Sequence, residues 1–397
     1  MQHFPRQAGG YILRDMATRT IYLDHHATTP MLPEVWDSMR PFVDELFGNP
    51  SSAHFAGRKA RQFLEDAREK VASLIGSHAD EVIFTSGATE ANNLALFGLV
   101  YEPAGHLIVS PVEHPCVSEP LKHLSERGFA LTTLPVDHEG RVEIPSFAQA
   151  LQPNTQLVSV MRVNHETGVI QPIRELATVC PPKVLFHCDA AQAFGKIPVN
   201  FHELGVSALT LSAHKFGGPK GIGALILKRG AKLRPQWWGG HQQNGRRPGT
   251  ESVALAVGLS VALEAAVQQL NNHREYIDSL RTRFVEHLTT SCSPIRINGS
   301  EDPRYRVPHV VNVSFPSCAG DLVVLKLDLA GVACSTGSAC SSGSLLPSPV
   351  LKAMNVPDDL LRSAVRFSFG PSLTHEDIDL AADRVTATIL KMRMLLT

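Results

Sequence analysis

The 397-residue chain is 43% hydrophobic, and its 37 basic and 38 acidic residues leave a formal charge of −1. That length buries a sizeable core and is expected to divide into two domains. The balanced charge excludes a nucleic-acid partner drawn by electrostatics, and no run of eighteen apolar residues announces a membrane helix.

Residues 1–19 carry three arginines but no apolar stretch of signal-peptide type, so no secretory signal is expected. Structure-like sequence begins near Thr20, which leaves Met16 as an alternative start. The seven cysteines are scattered and lack a CxxC pair. They argue against a disulfide framework or a zinc site and for a reducing, cytoplasmic setting.

Short apolar runs then alternate with helical stretches. The runs predict strands at Glu81–Thr85, His106–Ser110, Ala130–Leu134, Gln156–Val163, Lys183–Cys188, Ala208–Ser212 and Ile222–Lys228. Helices are expected between them, for example at Arg58–Ile75 and Glu90–Leu99. This is the pattern of an α/β layer with a mostly parallel seven-stranded sheet. One long helical stretch is expected from Thr250 to Ser291. An α+β region follows: strand Val310–Phe315, helix Gly320–Ala330, strand Ala364–Ser368 and a terminal helix from Thr374. The domains are expected as an N-terminal segment, 20–30, packed on the small domain, a large domain, 31–265, and a small C-terminal domain, 266–397.

Ligands of open α/β sheets collect beyond the strand C-terminal ends. Two chemical groups fall at such ends. Asp189 heads Asp189-Ala-Ala-Gln192, and Lys215 stands in Ser212-Ala-His-Lys215. A lysine to form a Schiff base and a carboxylate to keep a pyridine nitrogen protonated are what pyridoxal phosphate (PLP) needs. A lone lysine after a strand is more often a surface residue. Ser86-Gly87-Ala88-Thr89-Glu90 joins a strand to a helix and reads equally as a simple turn or as a phosphate site at a helix N-terminus. Ser212 and His214 suit a phosphate cup, although His214 reads as well as a structural histidine. His114, near a strand end, suits stacking on a planar cofactor and proton transfer. Arg366 is a charge inside an apolar strand, suited to a substrate carboxylate or to a structural salt bridge. Cys340 sits in the Ser/Gly-rich stretch Cys334–Ser344, where it is either incidental or a nucleophile on a mobile loop. HExxH, GxxxxGK[ST] and a dinucleotide glycine pattern are absent.

Together these motifs resemble the cysteine desulfurases of the class V aminotransferase family, PLP fold type I. The likeness runs from Tyr22-Leu-Asp24 and Ala27-Thr-Thr-Pro30 through Phe47-Gly-Asn-Pro-Ser51, Thr85–Glu90, Glu113-His114 and Arg247-Pro-Gly-Thr250 to the last helix. The segment Ser335-Thr-Gly-Ser-Ala-Cys340 resembles the long-loop group that serves iron–sulfur cluster and thio-cofactor assembly. The resemblance implies roles for the matching positions. Lys215 would carry PLP, Asp189 would pair with its ring nitrogen, Gln192 would bond the ring hydroxyl and His114 would stack on the ring as acid/base. Ala88, Thr89, Ser212 and His214 would bind phosphate, with Thr250 supplied by the second subunit of a homodimer. Arg366, Asn164 and His165 would hold the carboxylate of L-cysteine, and His165 would also bind the cofactor, at its ring hydroxyl. Cys340 would take the sulfur as a persulfide, pass it to an acceptor or scaffold protein, and serve at most as a transient cluster ligand; no other metal site is implied. The alternatives are a selenocysteine lyase and a non-catalytic assembly partner; an ordinary aminotransferase would not need Cys340.

Three departures stand out. Asn164-His165-Glu166 replaces the family's Asn-Asn-Glu, and His25-His26 replaces smaller or polar residues. His26 and His165 are therefore expected to be neighbours, within about 8 Å, a few times hydrogen-bond reach. The chain also stops soon after its last expected helix, without the tail that some members use to dock a scaffold.

Overall fold

The structure, a computed structural model, describes residues 19–337 and 347–395. In chain order its strands are β1 (Ile21–Tyr22), β2 (Val82–Thr85), β3 (His106–Val109), β4 (Ala130–Thr133), β5 (Thr155–Ser159) and β6 (Leu185–Asp189). They continue with β7 (Ala208–Ser212), β8 (Gly223–Leu227), β9 (Arg296–Asn298), β10 (Val310–Ser314), β11 (Val332–Ala333) and β12 (Ala364–Ser368). Seven of them form one sheet in the order β2-β8-β7-β6-β5-β3-β4. Only β8 runs against its neighbours; every other pairing in this sheet is parallel. Strands β2, β3, β5, β7 and β8 are buried along their whole length, because helices cover both faces of the sheet. The edge strand β4 is the partly exposed exception.

All seven strand runs read from the sequence fall in this sheet, with one shortened. The expected strand Gln156–Val163 ends at Ser159. Beyond it, the N–H of Met161 donates to Glu113 Oε1 at 2.7 Å rather than to a strand, and the chain turns away carrying His165.

The expected continuous helix Thr250–Ser291 is two helices, Val253–Gln268 and Leu270–Ser291, bent by 70°. The two halves serve different cores. Val253–Gln268 packs its apolar sides against helices Phe55–Ile75 and Pro33–Met39 under the large sheet, and Leu270–Ser291 packs against His375–Met394. Gln269, at φ −93° and ψ 3°, makes the corner. No single helix among the described residues is long and apolar enough to cross a membrane.

The second core lies on the antiparallel sheet β12-β10-β9, between the helices Leu270–Ser291 and His375–Met394. Ile21 and Leu23 belong to this core, and β1 pairs with β11. The N-terminal segment then crosses to the large sheet, where Thr29 bonds His214 and Gly217. The C-terminal ends of β6 and β7 thus meet the crossing segment, and a cavity opens there.

Candidate active site

The cavity has a volume of about 550 Å³, ordinary for a small-molecule site. Its wall includes Ala88, Thr89, His114, His165, Asp189, Gln192, Ser212, His214, Lys215 and Arg366. These ten expected residues come from six separated stretches of chain; those of the large sheet follow strand ends, and Arg366 reaches the same space from within β12.

Lys215 ends the single 3-10 turn Ala213–Lys215 that follows β7. Its ammonium donates to the main-chain carbonyls of His26 at 2.8 Å and Ala27 at 2.9 Å. Asp189 is the last residue of β6 and is only 5% exposed. One carboxylate oxygen accepts from the Ala191 N–H and the other from Asn92 Nδ2, at 2.9 and 2.8 Å, which fixes the carboxylate plane. Gln192 spends its Nε2 on the His26 carbonyl at 2.9 Å, leaving Oε1 buried without a partner.

His114 caps the helix Pro115–Glu126: its Nδ1 accepts from the Cys116 N–H at 3.2 Å. The neutral ring therefore carries its proton on Nε2. Burial lowers its pKa below the ordinary value, aided by the Lys215 and Arg366 charges and opposed by Asp189. Beside it, burial and the Asp189 charge raise the Glu113 pKa well above the ordinary carboxylate value, against the Met161 hydrogen bond.

At the far wall of the cavity, Gly87 caps the helix Ala88–Leu99 with no side chain, so its first-turn N–H groups face outward beside Thr89. Strand β8 reaches this turn because Gly223 has no Cβ; one there would come within 2.8 Å of Gly87 Cα. Ser212 is 2% exposed in the same wall, and His214 Nδ1 lies 3.1 Å from Thr28 Oγ1. Burial, with the lysine charges of Lys215, Lys220 and Lys196, pushes His214 down to about 4.

Arg366, 2% exposed on β12, shows the structural salt bridge that the sequence offered as one reading of its charge. It forms the salt bridge with Asp24 at 2.9 Å and bonds Ser335 Oγ at 2.8 Å and the His165 carbonyl at 3.0 Å. Of its five N–H groups, Nε has no partner and one on Nη1 is left over; the two point in different directions, and each can donate one hydrogen bond into the site.

Asn164 is corrected from the expected substrate contact. Its Oδ1 accepts from the Glu166 and Thr167 N–H groups, both at 2.9 Å, and its Nδ2 donates to the Val112 carbonyl at 3.0 Å. The side chain is spent on its own turn, and His165 takes the wall instead. Its ring lies edge-on to His114 at 5.1 Å, and burial, followed by the His114 and Arg366 charges, keeps its pKa well below normal. His26 and His165 are neighbours: His26 Nδ1 is 3.4 Å from the His165 carbonyl. Thr250 lies outside this cavity, in a separate one of about 160 Å³ shared with Ser86 and Arg247. Cys340 lies outside the described residues.

Sequence reasoning missed Asn92 and the His26 carbonyl. Asn92 looks like any polar residue of a helix, and its only signal is that it lies one turn past the Gly87 corner. A main-chain carbonyl leaves no trace in sequence at all.

PLP fits what is present: an amine, a clamped carboxylate, an unpartnered amide oxygen and an uncapped helix N-terminus surround one space. Fold and cavity define a PLP-dependent enzyme of fold type I. The aminotransferase class-V family model matches residues 21–380, and the chain belongs to that family. It is 45% identical to "Cysteine desulfurase IscS" of Dictyoglomus turgidum over 379 residues, 94% of this chain and 96% of that one. Among solved structures it resembles a "NifS-like protein" at TM-score 0.88 and 34% identity, covering 94% of this chain and 99% of that one. "SspA in complex with cysteine" is also similar, at TM-score 0.77 and 34% identity, over 89% of this chain and 99% of that one.

Proposed function

We propose that this protein is a PLP-dependent cysteine desulfurase that converts L-cysteine to L-alanine and leaves the sulfur as a persulfide on Cys340, for iron–sulfur or thio-cofactor assembly. One observation carries the reading: Lys215, Asp189, His114 and Arg366 line a single cavity. Bound PLP supplies an electron-withdrawing ring that stabilises negative charge at the substrate Cα.

The chain's own residues do the rest. Asp189, clamped by Ala191 and Asn92, holds a ring-nitrogen proton in place. Lys215 anchors the cofactor, with the crossing segment as its backstop. The Arg366 charge, with a spare N–H, draws and orients the substrate carboxylate, and the neutral His114 ring moves protons at the substrate. His165, uncharged at neutral pH, shapes the pocket beside it. Cys340 is assigned by its motif. Its thiolate attacks the substrate sulfur; the S–S bond forms as the Cβ–S bond breaks, and that electron pair stays with the carbon skeleton, which is protonated to alanine.

The partners belong to the same proposal. A homodimer supplying Thr250 is supported by the large aromatics left in solvent, with Trp238 89%, Phe47 78% and Phe55 72% exposed. A protein acceptor must take the persulfide sulfur. A cytoplasmic location suits the six described cysteines, all free thiols.

The test is Cys340→Ala in the holoenzyme. The cofactor absorbance should persist while alanine formation and sulfide release from L-cysteine collapse. Sulfide release at the unmodified rate would refute the reading.

A further inference from the structure

Far from the cofactor cavity, three metal-ligating side chains converge at a surface corner. His78 and Glu81 flank the 3-10 turn Ala79–Glu81 that leads into β2, and His202 lies in the short helix Phe201–Leu204 that precedes β7. Their donor atoms all lie within 4.8 Å of one another. His202 Nε2 is 2.9 Å from Glu81 Oε2, and the two imidazole centroids are 5.0 Å apart.

The corner is built rather than incidental. Glu81 is 2% exposed, while both histidines reach solvent. Its carboxylate is aimed by two main-chain donors, the His78 N–H at 2.8 Å on Oε2 and the Arg229 N–H at 2.9 Å on Oε1. Burial alone would raise its pKa, but these bonds and His202 outweigh it, so the carboxylate stays ionised. Hydrogen bonds that orient a carboxylate in this way are what a metal-binding carboxylate requires around it. The His202 segment is docked on the same corner: Asn200 packs against Gly76, where φ is +66° and a Cβ would come within 2.5 Å of its side chain. The His202 N–H also reaches the Gly76 carbonyl at 3.4 Å. Two imidazoles and one carboxylate, with a fourth position open to water, are a donor set for Zn²⁺.

We infer that His78, Glu81 and His202 bind a zinc-class divalent cation that staples the entry of β2 to the segment before β7. His202 Nε2 would release its hydrogen bond to Glu81, and both would turn their lone pairs to the ion, while the two main-chain bonds keep Glu81 in place. Strands β2 and β7 lead to the Thr89 turn and to Lys215, so the staple braces both from behind without touching the cavity. The corner is invisible to motif reading, since His202 lies 121 residues from Glu81.

The holoenzyme, freed of metal by chelation and with its thiols alkylated, is titrated with Zn²⁺ alone by calorimetry. One equivalent per chain is expected, with a rise in melting temperature. His202→Ala and His78→Ala, both at exposed positions, should each weaken binding at least tenfold and abolish that rise. Crystals soaked in zinc chloride should show an anomalous peak between the three side chains. Absence of binding, binding undiminished in His202→Ala, or binding seen only before thiol alkylation overturns the inference.

Discussion

Lys196 offers a sharp test of how the site is assembled. It is 4% exposed, and its ammonium makes one hydrogen bond, 3.3 Å to the Lys215 carbonyl. No carboxylate pairs with it among the described residues. Burial, followed by repulsion from Lys215, lowers its pKa from 10.5 to about 7. Between those values the unfolded chain holds the proton and the folded chain does not, so folded-state stability rises with pH across that window and is lost as pH falls toward 7. At about 1.36 kcal/mol per pH unit, the fall from 10.5 to about 7 is worth about 5 kcal/mol. Lys196→Met removes the charge at nearly constant volume and forfeits one hydrogen bond worth about 1 kcal/mol. The variant should therefore be more stable than the parent at pH 6, by up to about 4 kcal/mol, and slightly less stable near pH 10.5. Paired thermal melts of the holoenzymes across this range read the gap, which should be several degrees at pH 6. A gap that does not change with pH, or a parent that is the more stable protein at pH 6, would refute the reasoning.

Three substitutions follow from the same geometry, one behind the cavity wall and two in it. Asn92→Ala unclamps one Asp189 oxygen and should lower PLP affinity and kcat by roughly tenfold to a hundredfold, the worth of a hydrogen bond to a charged group; an unchanged cofactor titration would deny Asn92 its positioning role. Arg366→Lys keeps a charge but loses the planar fork, so KM for L-cysteine should rise more than about tenfold while cofactor absorbance is retained; an unaltered KM would place the carboxylate elsewhere. Because His165 stays neutral, His165→Asn should shift KM yet leave the pH–rate profile between about 6 and 9 unchanged in shape; loss of an acid limb would show that His165 titrates in the reaction.

The strands that carry Asp189 and Lys215 were legible because a strand buried on both faces must be apolar throughout, and groups placed just past such runs land at one edge of a parallel sheet. Helix Val253–Gln268 was legible for the same reason, but its end was not. Gln269 is neither glycine nor proline, and the 70° corner there arises because the next helix belongs to another core. Tertiary packing wrote that break, and local propensity carries no record of it.

The site divides along the same line. Side chains chosen for their chemistry, such as Lys215, announce themselves; groups chosen for where they stand do not. Arg366 shows the limit. From sequence its charge served either a salt bridge or a substrate; the structure shows the salt bridge and leaves donors over for the proposed substrate role, because a guanidinium has five donors and Asp24, Ser335 and the His165 carbonyl use three. Asn164 and His165 show it again. Neighbours in a motif share an assignment in sequence, but a tight turn must satisfy its own N–H groups first, and Asn164 is consumed by the Glu166 and Thr167 amides. The residue left to face the cavity is the histidine, the position at which this chain departs from the family. Any substrate preference peculiar to this protein should therefore follow residue 165 rather than residue 164.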